Sequence, residues 1–280
     1  MSVLRAASLC VLSSSSGGNC SALLLERDRG RSLVLFDAGL SPRRTRLMLR
    51  EAGVEGVPIE AIVLTHLDRD HWNPGWLGRA SIGTCVYLHA SHRGRAVRDG
   101  VLHPEARLFA EPFEPTPGVE VASVVMSHDE AGVAAFRVAV RGLGTLGYAT
   151  DVGRVTPGLI DHLADVEVLA IESNYCRAMQ VASNRPAYLK ARIMGGSGHL
   201  SNAESAAAVA EIRPRRQTVL LHLSRECNTP QRAAEAHAHG PAPLTIARPD
   251  RPTGWVPLMP SPGAVVVRRL AAERTLFAPP

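Results

Sequence analysis

The densest run of chemically competent side chains is Thr65-His66-Leu67-Asp68-Arg69-Asp70-His71. Two imidazoles and two carboxylates fall within six residues, directly after the apolar run 61–64. Imidazole nitrogen and carboxylate oxygen are donors for zinc, manganese or iron. Neither a helix nor a strand turns the first, third, fifth and sixth of six positions toward one point, whereas a loop leaving a buried strand can. A solvated acidic turn with two surface histidines would use the same letters. The apolar strand in front of the loop favours ligands.

One loop does not close a metal site, so further donors are expected at other strand ends. His128 follows the apolar run 124–126, Asp151 follows 146–149, and His222 follows 218–221. Each alone reads as a satisfied structural residue. Together with the loop they place metal-type donors at four strand ends. His199 stands apart, behind Gly195-Gly196-Ser197-Gly198 and just before a helix start at Ser201. A helix N-terminus with free amides suits an anion. His199 and the amides beside it are therefore expected to meet a scissile phosphate, with His199 protonating the leaving oxygen. The alternative is a packing turn that carries a surface histidine. A second Gly/Ser loop at 13–19 could approach phosphate, although a flexible turn accounts for it equally well. Asn174, Arg225 and Ser201 are candidate substrate contacts.

These residues need a scaffold of short buried strands. Strands are expected at 8–12, 22–26, 33–36, 61–64, 85–88, 120–125, 135–140, 146–149, 168–171 and 219–221. A helix is expected from Ser41-Pro42 to Ala52, stopped by Gly53. Ser201-Asn202-Ala203-Glu204 reads as a capping box for a second, and Thr229-Pro230 opens a third that ends near Gly240. Many strands with peripheral helices imply sheets covered by helices, an α/β protein. No internal repeat stands out. Residues 1–240 read as the catalytic domain and 241–280 as a proline-rich extension packed on it or trailing from it.

Composition narrows the class. The chain has 280 residues, 45% hydrophobic and 20% charged, which is globular and leaves enough length for a core without disulfides. No apolar run reaches membrane-span length, and residues 1–12 lack the pattern of a signal peptide. The five cysteines are scattered without a CxxC, which points to a reducing cytoplasm. The net charge of +5 is carried almost wholly by arginine, with Lys190 the only lysine, and it permits an anionic partner without requiring one.

The sequence resembles the metallo-β-lactamase-fold hydrolases, and among them the YycJ (WalJ) group of DNA exonucleases. The stretches that carry this are LSSSSGGNCS at 12–21, LFDAG at 35–39, the loop at 65–71, SHD at 127–129, ATDVG at 149–153, ESN at 172–174, GHLSN at 198–202 and HLSRECNTP at 222–230. The resemblance implies a four-layer αββα sandwich with two divalent metal ions at one edge. It assigns His66, Asp68 and His128 to the first ion, Asp70, His71 and His222 to the second, and Asp151 as a bridge. Asp37 would orient the loop through hydrogen bonds. Two cations about 3.5–4 Å apart can share a hydroxide and keep it deprotonated near neutral pH. Asp70 would join His199 in the catalytic group. Two departures stand out. Asp68 replaces the usual histidine, which makes the first site harder and more anionic and favours manganese or iron over zinc. Tyr175 stands where the group has a histidine. The expected activity is phosphodiester hydrolysis, with single-stranded DNA the favoured substrate. A small-molecule ester, thioester or lactam hydrolase is the alternative, and a binding module with a degraded metal site is a further one.

Overall fold

The computed structural model describes residues 3–77, 83–127 and 131–260. Its central strands are apolar at consecutive positions, so both of their faces must be buried. The chain meets this demand with two sheets packed face to face and helices outside them. β1 (Leu4–Ser13), β2 (Cys20–Arg27), β3 (Gly30–Phe36), β4 (Ile59–Leu64), β5 (Cys85–His89) and β6 (Ala106–Phe109) form the first sheet. β7 (Phe113–Thr116), β8 (Val119–Met126), β9 (Val133–Val140), β10 (Gly144–Ala149), β11 (Val168–Glu172), β12 (Gln217–Leu221) and β13 (Leu244–Ile246) form the second, and β14 (Val256–Pro257) returns to the edge of the first beside β1.

Alternate side chains of one strand serve different cores. On β3, Val34 and Phe36 enter the core between the sheets, while Leu33 and Leu35 face the outer layer. The inner core joins Leu9, Leu23, Phe36 and Val63 of the first sheet to Phe136, Leu146, Tyr148 and Val219 of the second. The outer face of the first sheet is covered by α1 (Pro42–Glu51) and α2 (Arg93–Arg98). The outer face of the second is covered by α3 (Pro157–Leu163), α6 (Asn202–Ile212) and α7 (Pro230–Ala236). The layering is the expected αββα sandwich. α4 (Arg177–Ala182) and α5 (Ala187–Met194) lie between β11 and β12 in the chain.

The capping signals act as the sequence implies. The Ser41 hydroxyl accepts from the Arg44 amide at the start of α1, and Ser201 and Glu204 form a reciprocal box at the start of α6. α7 begins after Thr229 but leaves the helical path at His237, earlier than expected. Residues 241–260 supply β13, parallel to β12, and β14, antiparallel to β1. Residues 261–280 lie outside the described residues.

Both sheets repeat one plan. β1–β3 and β8–β10 are antiparallel, and each then runs into a parallel half, β3–β6 or β10–β13. Parallel neighbours end on the same side, so the loops after β3, β4, β10, β11 and β12 gather along one rim. In open α/β sheets that rim is where ligands bind.

Candidate metal centre and active site

The site is built outward from Asp37, the residue after β3. It has φ +59°, in the left-handed region that aspartate tolerates better than most residues. Its amide donates to the Val63 carbonyl at 3.0 Å, which locks it to β4. The buried carboxylate then organises the next loop. Oδ1 accepts from the Thr65 amide and hydroxyl, each at 2.9 Å, and Oδ2 lies 2.8 Å from His71 Nδ1. Because the Thr65 hydroxyl donates to Asp37, it is the acceptor toward His66 Nδ1 at 2.9 Å. That places a proton on Nδ1 and turns the Nε2 lone pair of His66 to the site. Burial, reinforced by neighbouring His71, pushes the His66 pKa below its ordinary value, so the ring is a neutral donor.

Asp151 and His222 enter from the second sheet. Asp151 is the second residue after β10 and His222 the first after β12, and each is left-handed, with φ +55° and +54°. Strained backbone of this kind persists only where the surroundings enforce it. For His222 the enforcement is on the page: its amide donates to Ser14 Oγ at 2.8 Å and its carbonyl accepts from Asn174 Nδ2 at 2.8 Å. Asp151 is wedged between imidazoles. Oδ1 lies 2.9 Å from His222 Nδ1, while Oδ2 lies 3.0 Å from His71 Nε2 and 3.5 Å from His66 Nε2. Asp70 Oδ2 completes the ring 3.3 Å from His222 Nε2.

One donor atom from each of Asp70, His71, Asp151 and His222 lies within 4.8 Å of the others, as do atoms from Asp151, Glu172, His199 and His222. The electrostatics are those of a cation site. Burial opposes charge on His71 and His222, yet the Asp151 carboxylate, with Asp37 beside one and Asp70 beside the other, holds both well above the ordinary imidazole range. Burial also opposes charge on Asp151, but His222 and His71 hold it well below the usual carboxylate range. A positive charge placed among these groups is stabilised, whether it is a proton or a metal ion. The donor set therefore fits a divalent cation.

A cavity of about 220 Å³ opens over these groups, lined among others by Asp68, Asp70, Asp151, Arg192, His199 and His222. His199 Nδ1 lies 3.1 Å from Glu172 Oε2, and Glu172 Oε1 accepts from the Leu200 amide at 3.1 Å. Burial works against charge on Glu172, but His199 and His222 together keep the carboxyl below its ordinary value. This is a carboxylate–imidazole pair at the wall of a cavity whose floor collects metal-type donors.

Residues 33–223 match the Beta-lactamase superfamily domain. The chain belongs to this superfamily. It is 26% identical over 226 residues to "Exodeoxyribonuclease WalJ" of Streptococcus pneumoniae, covering 78% of this chain and 82% of that one. It is 27% identical over 225 residues to "Exodeoxyribonuclease YycJ" of Bacillus anthracis, covering 78% and 83%. The metallo-beta-lactamase fold protein YhfI from Bacillus subtilis superimposes with a TM-score of 0.66 at 14% identity, over 89% of this chain and 99% of that one. These similarities support the YycJ/WalJ grouping and the sandwich.

Of the site residues expected in this superfamily member, Asp37, His66, Asp68, Asp70, His71, Asp151, His199 and His222 meet at one rim. His128 lies outside the described residues. Asn174 is bonded to His222, Arg225 Nη2 donates to Ser15 Oγ at 3.1 Å, and Ser201 caps α6 with its hydroxyl on Glu204 Oε2 at 2.6 Å. One expectation is corrected. The amides beside His199 do not await an anion: those of His199, Leu200, Ser201 and Asn202 already donate to Ile193 O, Glu172 Oε1, Glu204 Oε2 and Tyr175 O. The glycines before them serve packing, since a Cβ at Gly198 would strike the carbonyls of Arg192 and Ile193 at 2.5 Å. Tyr175 is buried beside Ile193 and Cys227, and that burial raises its hydroxyl pKa to about 12. Three contributors escaped sequence reading: Asn19, whose Nδ2 lies 2.9 Å from His71 Nε2, Glu172, and Arg95, which binds Asp68. Glu172 and Asn19 carried a signal, their places in the ESN and LSSSSGGNCS stretches, and Arg95 carried none.

Proposed function

We propose that this protein is a divalent-metal-dependent phosphodiesterase acting as an exodeoxyribonuclease. The observation that carries the reading is the convergence of Asp70, His71, Asp151 and His222 beneath a cavity walled by the Glu172–His199 pair. The exonuclease names of its relatives and the net charge of +5 support nucleic acid as substrate. Two cations are proposed, one held by His66, Asp68 and His128, the other by Asp70, His71 and His222, with Asp151 between them. When bound, they supply Lewis acidity at the phosphate and a lowered pKa for water.

The chain's own residues do the rest. Asp37 fixes the orientation of His71 directly and of His66 through Thr65. Glu172 holds His199 by Nδ1, so proton exchange falls to Nε2, which protonates the departing oxygen. Asn174 and Ser14 hold His222, and Arg225 steadies the Ser13–Asn19 loop through Ser15.

The test is release of nucleotides from a labelled single strand with Mn²⁺, beside a chromogenic lactam and a thioester. Chelator-sensitive nucleotide release is expected, with lactam and thioester turned over at least about a hundredfold more slowly. Preferred hydrolysis of either small substrate would overturn the nuclease reading. His199→Ala with both metals bound and undiminished turnover would remove the proton-donor role.

A further inference from the structure

Asp68 is held from outside the site. It sits in the loop after β4, and Arg95 of α2 grips that loop at two points. Arg95 Nη1 donates to Asp68 Oδ1 at 2.7 Å, and Nη2 donates to the Leu67 carbonyl at 2.8 Å. The guanidinium is itself positioned, with Nε 3.4 Å from Asp99 Oδ2 on the next turn. The Asp68 backbone is fixed as well, since its carbonyl accepts from the His71 and Trp72 amides, both at 2.8 Å. The other carboxylate oxygen, Oδ2, lies 3.7 Å from His66 Nε2, which in turn faces Asp151. The two ends of one carboxylate thus have different tasks: Oδ1 is spent on arginine and Oδ2 faces the cluster.

We infer that Arg95 is a positioning residue that sets the charge of the metal centre. It turns Asp68 into a single-oxygen donor and cancels its negative charge at the cluster. The inference rests on the metal reading above. Its charge logic is simple. Asp37, Asp68, Asp70, Asp151 and Glu172 crowd around four imidazoles. Arg95 offsets one of these five carboxylate charges. On this inference Asp68 does not make the first position more anionic, because the acid arrives with its own counter-ion. What remains is a hard oxygen donor without added charge. Both side chains are partly exposed, at 26% and 33%, so solvent moderates the effect without abolishing it.

The experiment titrates Mn²⁺ into the metal-free full chain by calorimetry, for the wild type, Arg95→Gln and Arg95→Lys. Glutamine keeps a hydrogen-bond donor and removes the charge. Expected are two equivalents in the wild type, about tenfold tighter binding at the weaker position in Arg95→Gln, and Arg95→Lys within about threefold of the wild type. With Co²⁺ loaded instead, Arg95→Gln is expected to weaken the visible ligand-field absorption, because a released Oδ1 raises the coordination number. In the Asp68→Asn background the same Arg95 change is expected to leave the Co²⁺ absorption unchanged, because residue 68 then has no second carboxylate oxygen to release. A residue that merely braces the loop predicts the opposite sign, weaker Mn²⁺ binding in both Arg95 variants, and that result would overturn the inference while leaving the metal reading intact. An equal change of the Co²⁺ absorption in both Asp68 backgrounds would also overturn it. A wild type that binds no Mn²⁺ would remove the metal reading and this inference together.

Discussion

At the scale of single residues, the site depends on side chains that touch no substrate. Asp37 receives three hydrogen bonds from the metal loop, so its charge should matter beyond its shape. Asp37→Asn keeps the size and tolerates the left-handed backbone, yet loses the carboxylate that faces His71. Metal affinity is expected to fall about 10–100-fold, measured by competition with a chromogenic chelator. Gly39 acts by absence: a Cβ there would overlap the carbonyl of Asp70. Gly39→Ala should cost about 1–3 kcal/mol in thermal or urea unfolding and displace the loop. Unchanged stability would mean the two loops can part freely. Glu172→Gln separates two roles open to Glu172. As the partner of His199, its loss should lower turnover about a hundredfold with both metals retained; loss of one metal equivalent would make it a ligand instead. The metal loop was legible in the sequence because its donors are dense. Glu172 and Arg95 were not, because a charged residue in a strand or on a helix surface reads as ordinary until its partner in space is known.

At the scale of elements, the long buried strands were legible and the short ones were not. β2, β3, β4 and β11 declare themselves through apolar runs buried on both faces. β6, β7, β13 and β14 run two to four residues, too few for any period to register. α4 and α5 begin after Cys176 and Pro186 without a side-chain cap, and neither was expected. α7 had a start signal and no stop signal, which is why its end was overestimated. The residue that caps its C-terminus, His237, carries a pH prediction. Burial pushes its pKa from 6.5 down to about 4, and Nε2 lies 3.5 Å from Ser173 Oγ beneath α7. The folded state binds the proton more weakly than the unfolded chain. The stability owed to neutral His237 is therefore complete above pH 6.5 and is lost progressively as pH falls toward 4. His237→Gln should flatten the decline in Tm between pH 7 and pH 4.5 relative to the wild type. Parallel Tm–pH curves for the two proteins would contradict it.

At the scale of the whole molecule, the candidate centre straddles the two sheets. Asp37 and residues 65–71 come from the first, and Asp151, Glu172 and His222 from the second. The sequence gives no hint of the repeated plan behind this, because each half keeps only the pattern of buried strands and not the residues. Aromatic side chains make up 4% of the chain, so under the proposed nuclease function strand binding would rest on phosphate contacts more than on stacking. Affinity for a short single strand should then fall about tenfold or more between 50 and 200 mM salt if at least three phosphates are engaged. The same architecture predicts a stability effect. A cation held by donors from both sheets binds only when the sheets are assembled, so it stabilises the fold by mass action. At a hundredfold excess over Kd the gain is about 2.7 kcal/mol for one ion, which for a chain of this size corresponds to a Tm shift of about 5–10 °C. Chelation should lower Tm by that amount, and readdition of Mn²⁺ should restore it. Asp151→Asn, which weakens the carboxylate between His71 and His222, should abolish the response to metal. A chelator-insensitive Tm in the wild type, with metal shown to be bound beforehand, would mean that the ion is held by one sheet alone.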